Sequence, residues 1–181
     1  MIWEIDAIHS QAAFAVRYMM ISTVKGRFKG LQGKLALDKE HLERSRVEAE
    51  VDVASIDTGD SSRDTHLRSP DFFDAEKYPT MTFKSTKVEA AAEDGYRVTG
   101  DLTMHGITRE VIFVVVYHGQ AKDFSGKLRV GLSAKAQINR KDFDLTWNMV
   151  LETGGVVVSE DVRIEVDLQA IALEEKEDFT E

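Results

Sequence analysis

The feature that most limits what this chain can become is a two-residue alternation of apolar and polar side chains that recurs along its length. It is cleanest over residues 156–170. There Val156, Val158, Val162, Ile164, Val166, Leu168 and Ala170 fall in one register, broken only by Glu160. Ser159, Asp161, Arg163, Glu165, Asp167 and Gln169 fall in the other. Successive strand residues point to opposite faces of a sheet, so such a run has one face for a core and one for water. Residues 128–138 repeat the pattern, with Leu128, Val130, Leu132, Ala134, Ala136 and Ile138 on the apolar side. Residues 46–53 do so again, with Val47, Ala49, Val51 and Val53 opposed to Arg46, Glu48, Glu50 and Asp52. Residues 12–20 and 96–104 carry weaker versions. Residues 111–117 are apolar in both registers, which predicts a strand covered on both faces.

Seven or eight such strands, separated by Gly, Asp and Asn, predict an antiparallel sandwich or barrel. Several of the runs are long, and long coiled strands suit a barrel better than a flat sandwich. The glycines of "VKGRFKGLQGKLAL", Gly26, Gly30 and Gly33, are placed where such strands bulge or bend. One segment lacks the alternation: "TGDSSRDTHLRSPDFFDAEKYP", residues 58–79. Thr58 or Asp60 suits the N-cap of a short helix running through Leu67, and Pro70 permits a further turn carrying Phe72 and Phe73. The expectation is a helical insertion, at about residues 58–76, over one mouth of the barrel. Residues 1–172 form one domain, and 173–181 an acidic tail.

Several chemistries are excluded or unsupported. The net charge is -9, which argues against a nucleic-acid partner and against adsorption to an anionic membrane. There are no cysteines, so disulfides, thiolate nucleophiles and cysteine-based zinc sites are excluded. His9, His41, His66, His105 and His118 show no metal-binding spacing, and no metal or cofactor is expected. No P-loop, dinucleotide fingerprint or nucleophile elbow is present. No apolar run approaches the length of a membrane-spanning helix, and "MIWEIDAIHSQAAF" has no leader pattern, so the expected location is the cytoplasm.

The stretch "GDLTMHGITR" gathers Asp101, His105 and Arg109 around Gly106. A catalytic loop is one reading, but a hairpin uses every residue. Gly106 supplies a positive φ, His105 takes the adjacent turn position, and Thr103 pairs with Thr108. Asp101 and Arg109 then lie near one another across the ladder. Asp101 stands four positions from His105, about 13 Å along a strand, too far to orient it as a base.

Five ordered blocks resemble the YceI-like family of lipid- or polyisoprenoid-binding proteins: "WEIDAIHSQAAFAVRYM", "VKGRFKGLQGKL", "ASIDTGDSSRDTHLRSPDFFDAEKYPTMTFKS", "GDLTMHGITREV" and "INRKDFDL". The resemblance runs from Trp3 to Leu168. It implies an extended, all-β, eight-stranded antiparallel barrel of lipocalin-like type with a long apolar tunnel. It also implies a bound amphiphile: an isoprenoid quinone, a polyprenyl phosphate or a fatty amide. No catalytic residues are implied. Members occur as dimers, which makes a homodimer one arrangement open to this chain. Where the family often has glycine after the Phe of its R-x-D-F-G block, this chain has Asp144.

The inward registers supply candidate lining for a lipid tail: Phe14, Val16, Phe28, Val51, Phe83, Val98, Leu102, Phe113, Val115, Leu132 and Ala134. The same residues would serve a solid core. Phe72 and Phe73 are candidates for an apolar lid; alternatively one plugs the core while the other packs on a neighbour. Candidate head-group contacts are Arg63, His66, Arg68, Asn139 and Arg140, because a guanidinium holds phosphate or carbonyl oxygen through paired N–H groups. The plainer reading of each is a surface contact, an ion pair for the charged ones, on a chain rich in acids. The leading expectation is a non-enzymatic carrier or store of a long-chain isoprenoid or fatty lipid. The alternatives are a filled barrel that binds a protein, and an enzyme on a lipid or quinone-like substrate with His66 or His105 as base.

Overall fold

Each alternating run becomes a strand, and ten strand segments make one continuous antiparallel sheet. The computed structural model describes residues 1–93, 95–152 and 154–173. In chain order the segments are β1 (Ile2–Ile5), β2 (Gln11–Tyr18), β3 (Ser22–Phe28), β4 (Gln32–Ala36), β5 (Arg46–Asp52), β6 (Thr80–Ala90), β7 (Gly95–Met104), β8 (Ile107–Lys122), β9 (Leu128–Asn139) and β10 (Val158–Ala172). The helix α1 (Ser61–Arg68) lies between β5 and β6. All but Leu173 of the acidic tail expected at 173–181 lies outside the described residues.

The barrel closes through β10. Its C-terminal part pairs with β1 (Ala170 opposite Ile5), and its N-terminal part pairs with β2 (Ile164 opposite Phe14). β1 and β2 are therefore two halves of one interrupted strand. β3 pairs with β2 and β4 pairs with β1, so β3 and β4 are two halves of the next, broken at Gly30, whose φ is +72°. Ten segments thus make an eight-stranded closed barrel. A register shift between Val158 and Val162 accounts for the one exception in the β10 pattern. It turns Glu160 outward, to within 2.7 Å of Lys141.

The β7–β8 connection is the expected hairpin. Met104 pairs with Ile107, and both turn residues are left-handed, His105 at φ 53° and Gly106 at φ 73°. That is the backbone a two-residue turn needs to match strand twist. Thr103 and Thr108 meet at 2.7 Å through their hydroxyls. The pairing also corrects one expectation. With two residues in the turn, Asp101 faces Glu110 and Arg109 faces Leu102, so Asp101 and Arg109 lie on different rungs. His105 turns its Nδ1 to the carbonyl oxygen of Phe143 at 2.9 Å and stacks edge-on against Tyr78.

A second correction concerns β8. Val111 and Phe113 are buried, but Ile112, Val114 and Val116 are 47%, 54% and 40% exposed. The strand is covered on its inner face alone within this chain. Periodicity registers an apolar outer face without showing what lies over it.

Two packed layers bound the interior. Trp3, Leu35, Val130 and Ala170, on the adjacent strands β1, β4, β9 and β10, are fully buried near one end. Phe143, Leu145, Met104 and Val111 are buried near the other. The second end also carries the β2–β3 and β7–β8 turns and the segment with α1, and is called the lid end below.

Candidate functional site

Between the packed layers the barrel is hollow. A cavity of about 310 Å³ has an almost wholly apolar wall. It runs from Phe72, Arg140 and Leu145 at the lid end to Leu42, Tyr96 and Tyr117 toward the opposite end. Along β9 it is lined from Leu132 to Ile138, about 20 Å by strand rise. The sequence explains the space. Alanines occupy inward positions on three strands, Ala12 on β2, Ala49 on β5 and Ala134 on β9. Phe14, Phe83, Val115 and Leu132 point inward yet are only half-buried. Such residues in a filled core make contact on all sides and lose nearly all accessible surface.

All thirteen candidate tail-lining residues stand on this wall: Phe14, Val16, Phe28, Val51, Phe72, Phe73, Phe83, Val98, Leu102, Phe113, Val115, Leu132 and Ala134. Both phenylalanines of the insertion line the cavity, Phe73 packing against the core and Phe72 against its neighbours His66 and Trp147. Phe73 meets Phe28 edge-on at 5.8 Å between centroids, and Phe28 meets Phe14 at 5.7 Å. Phe72 packs at 5.2 Å on Trp147. With Leu67 of α1, these rings form the underside of a lid.

The lid is pinned by local polar bonds. Asp60 caps α1, accepting from the Arg63 backbone N–H at 2.8 Å. The buried Asp64 carboxylate accepts from the Thr58 N–H at 2.9 Å and from its hydroxyl at 2.5 Å. Arg63 donates through Nε to the Thr58 hydroxyl and through Nη2 to the Thr58 carbonyl, both at 2.7 Å.

The five head-group candidates separate on this geometry. Arg63 is engaged with Thr58, and Arg68 lies near the Thr65 hydroxyl at 3.5 Å; neither lines the cavity. Asn139 caps the 3-10 turn at Arg140–Phe143, accepting from the Lys141 N–H at 3.0 Å, and is also off the wall. His66 holds Asp71 at 2.8 Å and stacks edge-on against Phe72 and Trp147, behind the lid. Arg140 alone of the five forms part of the wall, and it is only 4% exposed.

Arg140 donates from Nε to the Ser159 carbonyl at 2.8 Å, from Nη1 to Leu145 at 2.5 Å and from Nη2 to Val158 at 3.2 Å. These carbonyls tie the 145–148 segment to the start of β10. A guanidinium has five N–H groups, so two remain beyond these bonds. Burial pushes the Arg140 pKa down, partly opposed by the charge of Glu160; a guanidinium stays charged in proteins. A dehydrated positive charge therefore stands beside the cavity, held by neutral carbonyls, with no carboxylate in its hydrogen-bond set.

Sequence reasoning passed over a whole side of the wall. Val158, Val162, Ile164, Val166 and Leu168 of β10 line the cavity, as do Leu31, Leu35, Leu37 and Leu42. The β10 residues form the clearest alternation in the chain, and that signal alone was enough to nominate them. Asp144 has a simple explanation. It closes the Arg140–Phe143 turn with φ 58° and ψ 26°, a left-handed cap that glycine adopts most freely and aspartate tolerates. Among the described residues, no cluster of three or more His, Asp or Glu side chains is placed to hold a metal, and no helix is long and apolar enough to cross a membrane.

The comparisons with known proteins agree with this architecture. A UPF0312 protein of Ectopseudomonas mendocina is 36% identical over 141 residues, covering 78% of this chain and 74% of that protein. The crystal structure of Burkholderia cenocepacia BcnA superposes with a TM-score of 0.80 at 25% identity, covering 91% of this chain and 98% of that one. A polyisoprenoid-binding domain from Saccharophagus degradans superposes with a TM-score of 0.64 at 18% identity, over 94% and 98% of the two chains, a likeness of fold alone. The family model of the YceI-like domain matches residues 3–170, and the chain belongs to the YceI-like family.

Proposed function

We propose that this chain is a non-enzymatic binder and carrier of a long-chain amphiphilic lipid, an isoprenoid or a fatty species of similar girth. The observation that carries this reading is the 310 Å³ apolar cavity running through the barrel. Its volume falls within the range of about 300–1,000 Å³ typical of small-molecule sites. Membership of the YceI-like family supports it, as does sharing a fold with a polyisoprenoid-binding domain. The tail lies along β9 and β10. The head group lies at the lid end, where the two remaining N–H groups of Arg140 meet an oxygen of a phosphate, carboxylate or carbonyl.

Binding of this kind selects for length and apolarity before exact chemistry. Each buried methylene contributes about 0.8 kcal/mol before ordering costs. Titration with polyprenyl alcohols of increasing length tests the reading. Affinity should climb with each isoprene unit until the cavity is filled, then level off. An affinity that ignores chain length contradicts it.

A further inference from the structure

We propose that the lid end of the barrel docks on a lipid bilayer through an apolar lip built from two hairpins. The first is the turn between β2 and β3, with Tyr18, Met19, Met20 and Ile21. The second is closed by the bridge between Val150 and Val156 and carries Met149 and Val150. These six account for six of the fourteen exposed large hydrophobic residues found among the described residues. Ile21 is 78% exposed and Val150 is 82% exposed. The hairpins are joined, since the Met19 N–H donates to the Val157 carbonyl at 2.7 Å.

Three observations favour a bilayer as the occupant. First, the lip continues the cavity wall. Val16 and Val158 line the cavity, and Val158 pairs with Tyr18 at the base of the lip. Second, the tips satisfy much of their own backbone. The Ile21 N–H donates to Tyr18, Val157 to Met149, Leu151 to Gly155 and Gly154 to Leu151. Arg17 covers the Met20 carbonyl at 3.2 Å, and Asn148 is bonded to both the N–H and the carbonyl of Val158. Paired amides enter a low-dielectric layer at far lower cost than free ones. Third, charges of both signs stand at the base: Arg17 is bonded to the Met20 carbonyl, Lys141 is paired with Glu160, and Asp161 lies opposite Asn139. That mixture matches zwitterionic head groups, and with a net charge of -9 it does not match an anionic surface.

The tip itself adds weight. Met19 and Met20 are both left-handed, at φ 52° and 65°, positions where glycine or asparagine sits with less strain. Large apolar side chains are kept there against local preference. The choice of a bilayer rests on the lipid-cavity reading given above.

The chain has no cysteine, so single substitutions Ile21→Cys, Val150→Cys and Phe124→Cys accept an environment-sensitive fluorophore without competition. Phe124 is also fully exposed, but it lies in the β8–β9 turn at the opposite end. With phosphatidylcholine vesicles, labels at 21 and 150 should shift to the blue and the label at 124 should not. Ile21→Asp with Val150→Asp should reduce vesicle co-flotation by about tenfold or more, and Phe124→Ser should leave it unchanged. Vesicles enriched in phosphatidylglycerol should bind less well. The proposal is overturned if wild-type protein fails to float, if Phe124→Ser removes binding, or if the lip variants instead dissolve a self-associated species in sedimentation. Protein that retains lipid while its lip labels ignore vesicles defeats this proposal and leaves the cavity reading standing. Labels that respond on a chain holding no lipid do the reverse.

Discussion

Phe14 lies across Gly26, its partner on the neighbouring strand, so closely that a Cβ at position 26 would stand 2.7 Å from Cε1 of the ring. The glycine leaves room for a phenyl ring that shapes the cavity wall. Gly26→Val should drive the ring into the cavity. The expected result is a folded barrel destabilised by about 1–3 kcal/mol, with lipid uptake sharply reduced. Thermal melting together with a ligand titration checks both. Unchanged uptake would mean that the ring does not border the bound chain.

Ala134 tests whether the space is real. In a filled core, Ala134→Trp overpacks and costs about 1–3 kcal/mol. In a hollow barrel the indole occupies free volume, adds contacts and displaces ligand. Stability should therefore hold or rise in ligand-free protein while binding falls. A large loss of stability with binding retained would place the ligand elsewhere.

Arg140 and Arg63 separate a wall cation from a lid cation. Arg140→Gln should weaken a polyprenyl phosphate by about tenfold more than the polyprenol of equal length, because the charge-assisted bonds go to the phosphate alone. It should also lower stability, since the carbonyls of Leu145, Val158 and Ser159 lose donors. Arg63→Gln should leave the ratio of the two affinities unchanged, because its guanidinium is bonded to Thr58 outside the cavity. Equal effects on both ligands from Arg140→Gln would remove it from the head-group site.

An ionic group on the barrel flank makes folding sensitive to acid. Arg129 bridges Asp6 at 2.6 Å and Asp123 at 2.8 Å, and His9 meets Asp6 at 2.8 Å. The Arg129 guanidinium, more than any other neighbour, lowers the Asp6 pKa to about 2. It also leads in pulling Asp123 well below the usual carboxylate range, helped by the Ser125 hydroxyl. A folded-state pKa below the unfolded value means that this stabilisation is complete above about pH 4 and fades as pH falls through the folded values. Arg129→Met should flatten the loss of stability between about pH 4 and pH 2 relative to wild type. Denaturant melts across that window measure it, and parallel pH profiles would rule out the bridge as the cause.

The barrel was legible because its code is local. Alternation at period two locates β5, β7, β9 and β10, and the turn chemistry of His105 and Gly106 fixes one register. The Glu160 exception was visible in the sequence, but its cause, a bulge that depends on pairing with β2, is not a local property. The outer face of β8 misled for a related reason: Ile112, Val114 and Val116 reveal hydrophobicity without revealing a neighbour. Asp101 and Arg109 were misaligned by one rung, enough to exchange an attractive pair for Asp101 opposite Glu110.

The site was half legible. Apolar identity and inward register named part of the cavity wall and left out its β10 side. Hollowness was not readable, because it depends on how the summed side-chain volumes, including Ala12, Ala49 and Ala134, compare with the space eight strands enclose. For the head group, sequence offered five equal candidates. Only tertiary placement separates Arg140, buried in the wall, from Arg63, whose guanidinium is bonded to Thr58.

The most direct test of the central claim is denaturing extraction of purified protein into organic solvent, followed by mass spectrometry against a mock-purified control. Extraction is repeated after incubation with long-chain isoprenoid quinones and polyprenyl phosphates. The account predicts a long-chain lipid near one per barrel in at least one of these samples, absent from the control and lost in Ala134→Trp. No enriched lipid before or after incubation would contradict it and leave the barrel without the cargo its cavity implies.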